Sequence, residues 1–177
     1  MIDQVFCKEG GSRVEEIFDD GGSEGEQMRW IRESKPVFVI ESPGSCECVR
    51  IMVDAGWKDL EKGGGWVGWV AFSPVGHKLF EVYVAIKAES ALQAEALGIR
   101  EVFSWAKRKG LWHLEVSSDC LHIIACLAEV SRPHHHIRAI IDDILCLSSG
   151  FHCLSFSFIP RTFNKIAHGL ACKAMIS

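Results

Sequence analysis

Three stretches between Cys48 and Ile86 are rich in β-branched and aromatic residues, alternate in polarity and are punctuated by turn residues. CVRIMVDAGW (48–57) reads as a first strand. GGGWVGWVAFSP (63–74) reads as a second, opened by glycines and closed at Ser73-Pro74, and HKLFEVYVAI (77–86) as a third, entered through a turn at Gly76. Connections this short predict an antiparallel meander. The period then lengthens. Over AESALQAEALGIREVFSWAKRKG the apolar residues Leu92, Ala96, Ile99, Val102, Phe103 and Ala106 share one helical face, and Gly110 is the stop signal. LWHLEVSSD predicts a fourth strand, CLHIIACLAEV a short helix, and PHHHIRAIIDDILCLSSG a further helix with Pro133 in its first turn. FHCLSFSFIP predicts the fifth strand and TFNKIAHGLACKAM the last helix. The order β-β-β-α-β-α-α-β-α implies an α/β fold: a mixed five-stranded sheet, three antiparallel strands and then parallel ones, flanked by helices.

Composition adds a boundary. Residues 1–30 hold eight acids and three bases, whereas the remainder holds fifteen acids and sixteen bases. The net charge of −4 therefore comes from an acidic head, and says little about a binding face on the rest. DDGGSEGEQ is charged and poor in bulky apolar residues. Residues 1–47 are expected to form a largely disordered leader with one short extended segment at KPVFVIESPG, and residues 48–177 the folded domain. Eight cysteines are scattered without a C-x-x-C pair, which argues against a zinc ribbon or a disulfide frame and for reduced, buried thiols. No apolar run approaches the ~20 residues that span a bilayer, and no basic segment followed by an apolar one opens the chain. A soluble, intracellular protein without a membrane partner is expected.

Three carboxylates stand where a core needs none. Asp54 ends the first strand, and Asp119 ends the fourth. Glu95 lies three residues after Leu92 and four before Ile99, on the stripe that faces the sheet. Each has an ordinary reading alone: Asp119 as a helix N-cap, Asp54 as a turn residue with Gly56, Glu95 in an ion pair. Together they converge if the first and fourth strands are parallel neighbours. Two unit charges ~4 Å apart cost ~4 kcal/mol at an effective dielectric of ~20. Such a cluster therefore needs protonation or a divalent cation, and oxygen-only ligands favour Mg²⁺ or Mn²⁺.

The ordered set VDAGW, GGGWVGWVAF, AESALQAEALGIREV, LEVSSDC and FIPRTFNKIAHGLACKA resembles the type 1 ribonuclease H domain, in its reverse-transcriptase-like branch common in plant retroelements. The resemblance covers about Val49 to Ala174. It implies a ribonuclease H-like sheet and a metal-dependent endonuclease that cleaves the RNA strand of an RNA–DNA hybrid, leaving 5′-phosphate and 3′-hydroxyl. It makes Asp54, Glu95 and Asp119 metal ligands, with Asp54 bridging two ions, and Mg²⁺ or Mn²⁺ the cofactor. Arg161 and Asn164 of the tail motif, with Lys107, Arg108 and Lys109 at the end of the long helix, are the expected nucleic-acid contacts, and a monomer is expected to act. The lysines and arginine of that helix end also suit its dipole. The sequence departs from the family twice. His168 stands where members with the full acidic set carry a fourth acid, and FIPRTFN has no counterpart of the loop histidine of many bacterial-type members. His168 is counted with the catalytic residues as a neutral imidazole ligand, which prefers softer ions than Mg²⁺. An inactive nucleic-acid-binding module and a protein-interaction scaffold remain alternatives, because fold alone does not separate them. His134–His136 read as solvated histidines at a helix start, and the tryptophans Trp57, Trp66, Trp69, Trp105 and Trp112 mostly as core.

Overall fold

The computed structural model describes residues 47–58, 64–129 and 131–176. The expected acidic leader lies outside the described residues, apart from Glu47. The elements run β1 (Val49–Lys58), β2 (Gly64–Phe72), β3 (Lys78–Ile86), α1 (Ala91–Arg108), β4 (His113–Ser118), α2 (Leu121–Leu127), α3 (His135–Ser148), β5 (Cys153–Phe158), a 3-10 turn (Arg161–Phe163) and α4 (Lys165–Ile176). This is the expected order. One sheet holds all five strands in the order β3-β2-β1-β4-β5. The β1–β2 and β2–β3 pairs are antiparallel, and the β1–β4 and β4–β5 pairs parallel.

Helices cover both faces of the sheet. Val67 packs against Gly98 of α1, while the next residue, Gly68, lies under Ala167 and Ala171 of α4. Successive strand residues face opposite sides, so α1 and α4 lie on opposite faces. A Cβ at Gly68 would run into the backbone of Ala167 and Ala171. Glycine there is what lets α4 approach the strand so closely. On the α1 face, Ile51, Val53, Val67 and Trp69 bury against Ile99 and Phe103. Trp69 meets Trp105 edge-on, with ring centroids 5.8 Å apart.

Local signals explain the ends of α1. The Ser90 hydroxyl caps its start by accepting from the Gln93 N–H at 3.1 Å. At the other end Gly110 takes φ +68°. The Gly110 and Leu111 N–H groups close back on Lys107 and Ala106 at 3.1 and 3.0 Å, the double-bonded glycine stop.

Several expectations need correction. Asp54 is not the last residue of β1: the strand runs on to Lys58 against β2, and only its parallel pairing with β4 stops at Val53. Pro133 precedes the first turn of α3, because His134 is the cap and keeps an extended ψ of 147°. Trp112 is exposed on the surface against Phe151, and Trp57 and Trp66 are half-buried. Cys146 and Cys172 are exposed. Cys146 lies two residues past the buried Ile144 of α3, on the outward side of the helix.

Candidate metal centre

The parallel ladder between β1 and β4 ends at Val53 opposite Ser118. The next residue on each strand is Asp54 or Asp119, so the two carboxyls leave the sheet side by side where the strands part. Glu95, in the second turn of α1, reaches the same point. One oxygen from each of the three carboxyls lies within 4.8 Å of the others, and among the described residues this is the one such group of metal-ligating side chains. Asp54 is 1% exposed. Glu95 and Asp119 are half-buried.

The electrostatics follow from that crowding. Burial first, and then the charges of Asp54 and Asp119, push the Glu95 carboxyl up to about 9, against the opposing pull of Arg161 and the Ala55 N–H. Asp54 is also raised above its ordinary value, by burial first; Asp119 adds to this, and the His168 hydrogen bond opposes it. Three carboxyls this close do not all ionise together unless a cation offsets their repulsion. The donors are all oxygen, which suits hard divalent ions such as Mg²⁺ or Mn²⁺. The residues present therefore fit a divalent metal.

His168 reaches the cluster from α4, which Gly68 holds close to the sheet. Its Nδ1 is 2.8 Å from Asp54 Oδ2. With Asp54 ionised, the Nδ1–H donates, and the ring orients the carboxylate from behind. His168 thus touches the site through Asp54, and is not among the grouped ligands. Its Nε2 lies 3.8 Å from Cys172 Sγ. Arg161 is exposed at the rim, with Nη2 3.3 Å from His168 Nδ1.

Asn164 is fully buried. Its Nδ2 donates to the Val53 carbonyl and to Asp119 Oδ1, each at 2.9 Å, and so ties the ends of β1 and β4 together. Its Oδ1 is buried without a hydrogen-bond partner. The Asn164 expected among the nucleic-acid contacts is thus buried here, with its amide nitrogen engaged by Val53 and Asp119. Lys107, Arg108 and Lys109 are not brought to the cluster. Lys107 is twelve residues beyond Glu95, about 18 Å along the helix axis at 1.5 Å per residue. The Lys107 and Lys109 ammonium groups lie over the rings of Phe151 and Phe80, at 5.5 and 5.7 Å from the centroids.

A family model described as reverse transcriptase-like matches residues 52–174, a span that holds all three carboxylates and His168. The chain belongs to the reverse transcriptase-like family. No curated protein matches it. Among solved structures it is similar to ribonuclease H1 of the archaeon Halobacterium salinarum, at 24% identity over 72% of this chain and 97% of that one, with a TM-score of 0.66. It is also similar to LC11 ribonuclease H1, which comes from a compost metagenome and was solved in complex with an RNA/DNA hybrid. There the identity is 20%, the coverage 72% and 96%, and the TM-score 0.65. The foamy viral protease–reverse transcriptase, likewise solved with an RNA/DNA hybrid, matches at 10% identity over 80% of this chain and 22% of that chain, with a TM-score of 0.61. These likenesses establish the fold of this reverse transcriptase-like chain as ribonuclease H-like. Among the described residues no helix is long and apolar enough to cross a membrane.

Proposed function

We propose that the chain is a metal-dependent endonuclease that cuts the RNA strand of RNA–DNA hybrids. One observation carries the reading: three carboxyls from β1, α1 and β4 converge within 4.8 Å at the point where the parallel strands part. Asp54, Glu95 and Asp119 would hold Mg²⁺ or Mn²⁺. Divalent ions bound there supply the positive charge that activates a water and stabilises the departing oxygen of a phosphodiester. Each nearby side chain then has a task. Asn164 fixes the direction of Asp119, and His168 fixes that of Asp54. Arg161, exposed beside both, is the phosphate contact nearest the cluster. Lys107, Arg108 and Lys109 are assigned to phosphates farther along the duplex. Recognition of a hybrid by this set rests on backbone shape, 2′-hydroxyls and phosphates, not on base sequence. The chain's RTFNKIAHGLA tail supports placing it in the retroelement-related branch common in plants. A single copy carries all three carboxylates, so the acting unit is taken as a monomer, with residues 48–177 as the working domain. The thiols of Cys120, Cys126, Cys146 and Cys172 suit a reducing, intracellular setting.

A second reading has its own support. His168 supplies no negative charge where the family's full set has a fourth acid, so the metal is held by fewer charges. A domain that keeps hybrid binding but has lost cleavage fits that departure. The deciding experiment measures cleavage and binding of a labelled hybrid in Mg²⁺ and in Mn²⁺, for the wild type and Asp54→Asn. Cleavage that Asp54→Asn abolishes supports the nuclease. Salt-sensitive binding without cleavage in either ion supports the binding module. Neither cleavage nor binding overturns both.

A further inference from the structure

The triple histidine at the start of α3 does not stand alone in space. The His134 ring lies 4.9 Å from the ring of His122, which belongs to α2, and His136 stacks on His134 at 5.7 Å with only 13° between the planes. His122 Nε2 in turn lies 3.8 Å from Sγ of Cys126, one helical turn farther along α2. Two helices thus form a chain of neighbours, Cys126 beside His122, His122 beside His134 and His134 beside His136, well away in sequence from every residue of the carboxylate centre except Asp119.

We propose that His122, Cys126, His134 and His136 form a second metal site, for a borderline ion of the Zn²⁺ class. The donor chemistry is the first reason: imidazole with one thiolate selects Zn²⁺ over the hard ions suited to three carboxylates. The spacing is the second. Bonds of about 2.3 Å to sulfur and about 2.0 Å to nitrogen, at a tetrahedral angle, set the two ligand atoms about 3.5 Å apart. The His122–Cys126 pair, at 3.8 Å, is nearly there. The ligand atoms of His134 and His136 are not gathered with those of His122 and Cys126 as the side chains stand. Both histidines are exposed, so the site forms only if their rings turn toward the His122–Cys126 pair when the ion binds. Placement of the thiol is the third. Cys126 is buried at 3%, beneath a half-buried His122, so the sulfur forms the floor of the site and the exposed histidines its mouth. Burial, and then the neighbouring His134 and His136, hold His122 below its ordinary pKa, which favours the neutral ring that ligates. Binding would release the Cys126 thiol proton to solvent. The ion would then clasp α2, the helix that begins two residues after Asp119, to the entry of α3.

Co²⁺ is the probe, because a thiolate ligand gives it a near-ultraviolet charge-transfer band and tetrahedral ligation gives it intense visible bands. The full chain is titrated with Co²⁺ under reducing conditions, and Zn²⁺ is then added in competition. The expected result is one thiolate-bound Co²⁺ per chain, displaced by Zn²⁺. Cys126→Ser should abolish the charge-transfer band. The double variant His134→Gln/His136→Gln, which alters only exposed side chains, should weaken Co²⁺ at least tenfold while circular dichroism stays unchanged. Cys172→Ser should leave the band intact. The proposal is overturned if the wild type shows no thiolate band or if the double variant binds as tightly as the wild type. It is equally overturned if the band survives Cys126→Ser; loss of that band in Cys172→Ser would then place the ion on His168 and Cys172. None of these readouts depends on hybrid cleavage.

Discussion

Glu95→Gln tests the crowding argument without any substrate. At the 4.8 Å limit between ligand atoms, one ionised pair repels by about 3.5 kcal/mol at an effective dielectric of ~20. Glu95 faces two such neighbours, and the native state answers by keeping its proton up to about 9, against 4.5 for an ordinary glutamate. The sign follows directly. Between those two values the folded chain holds a proton that the unfolded chain releases, so stability without metal falls as pH rises through that window. The cost grows by about 1.4 kcal/mol per pH unit, which from 4.5 to pH 7 sets a ceiling of about 3 kcal/mol. Glutamine needs no proton and keeps an acceptor for the Ala55 N–H. In EDTA, Glu95→Gln is therefore expected to match the wild type near pH 4.5 and to be more stable at pH 7 by about 1–3 kcal/mol, a rise in Tm of roughly 4–10 °C. Millimolar Mg²⁺ should reverse the order, because the wild type gains a ligand and the variant has lost one. Thermal denaturation of both proteins from pH 4.5 to 9, with and without Mg²⁺, measures this. A Glu95→Gln protein that is less stable than the wild type at pH 7 in EDTA would refute the reasoning, because the three carboxyls would then not be repelling one another.

Four further outcomes follow from single contacts. His168→Asp sets a carboxylate against Asp54, so it should lower Tm in EDTA, enlarge the Mg²⁺-induced rise and increase hybrid cleavage in Mg²⁺; an unchanged metal response by calorimetry would show that position 168 does not reach the ion. Asn164→Ala removes two buried hydrogen bonds, so it should cost about 2–3 kcal/mol in urea unfolding and weaken metal binding by freeing Asp119; a loss under 0.5 kcal/mol would count against that role. Gly68→Ala drives a Cβ into α4 and should cost about 3 kcal/mol or more, read as a shifted urea midpoint with an unchanged slope. Arg161→Ala should weaken hybrid binding and reduce the slope of log K against log salt by about 1, whereas an unchanged slope would remove it from the phosphate contacts.

Much of this molecule is set by local sequence. Alternation between Cys48 and Ile86 and the three-and-four spacing after Ala91 specify their elements through nearest neighbours. Ser90 and Gly110 act on hydrogen bonds within one turn of themselves, so the limits of α1 are legible in the chain. Glu95 is legible as well, because a carboxylate on an apolar stripe conflicts with its own helix. The meeting of Asp54 with Asp119 is legible only if their strands are parallel neighbours, which no local pattern states. Tertiary structure decided the rest. The bond from His168 to Asp54 joins residues 114 apart, and that from Asn164 to Val53 joins residues 111 apart. No period or spacing encodes either: a buried amide and a surface amide look alike in sequence until the fold sets the dielectric around them. The same holds for His134, whose neighbours in the chain are solvated histidines. Only the packing of α2 beside the start of α3 brings it to His122, because side chains meet through the sum of all the helix and sheet contacts, which no single segment contains.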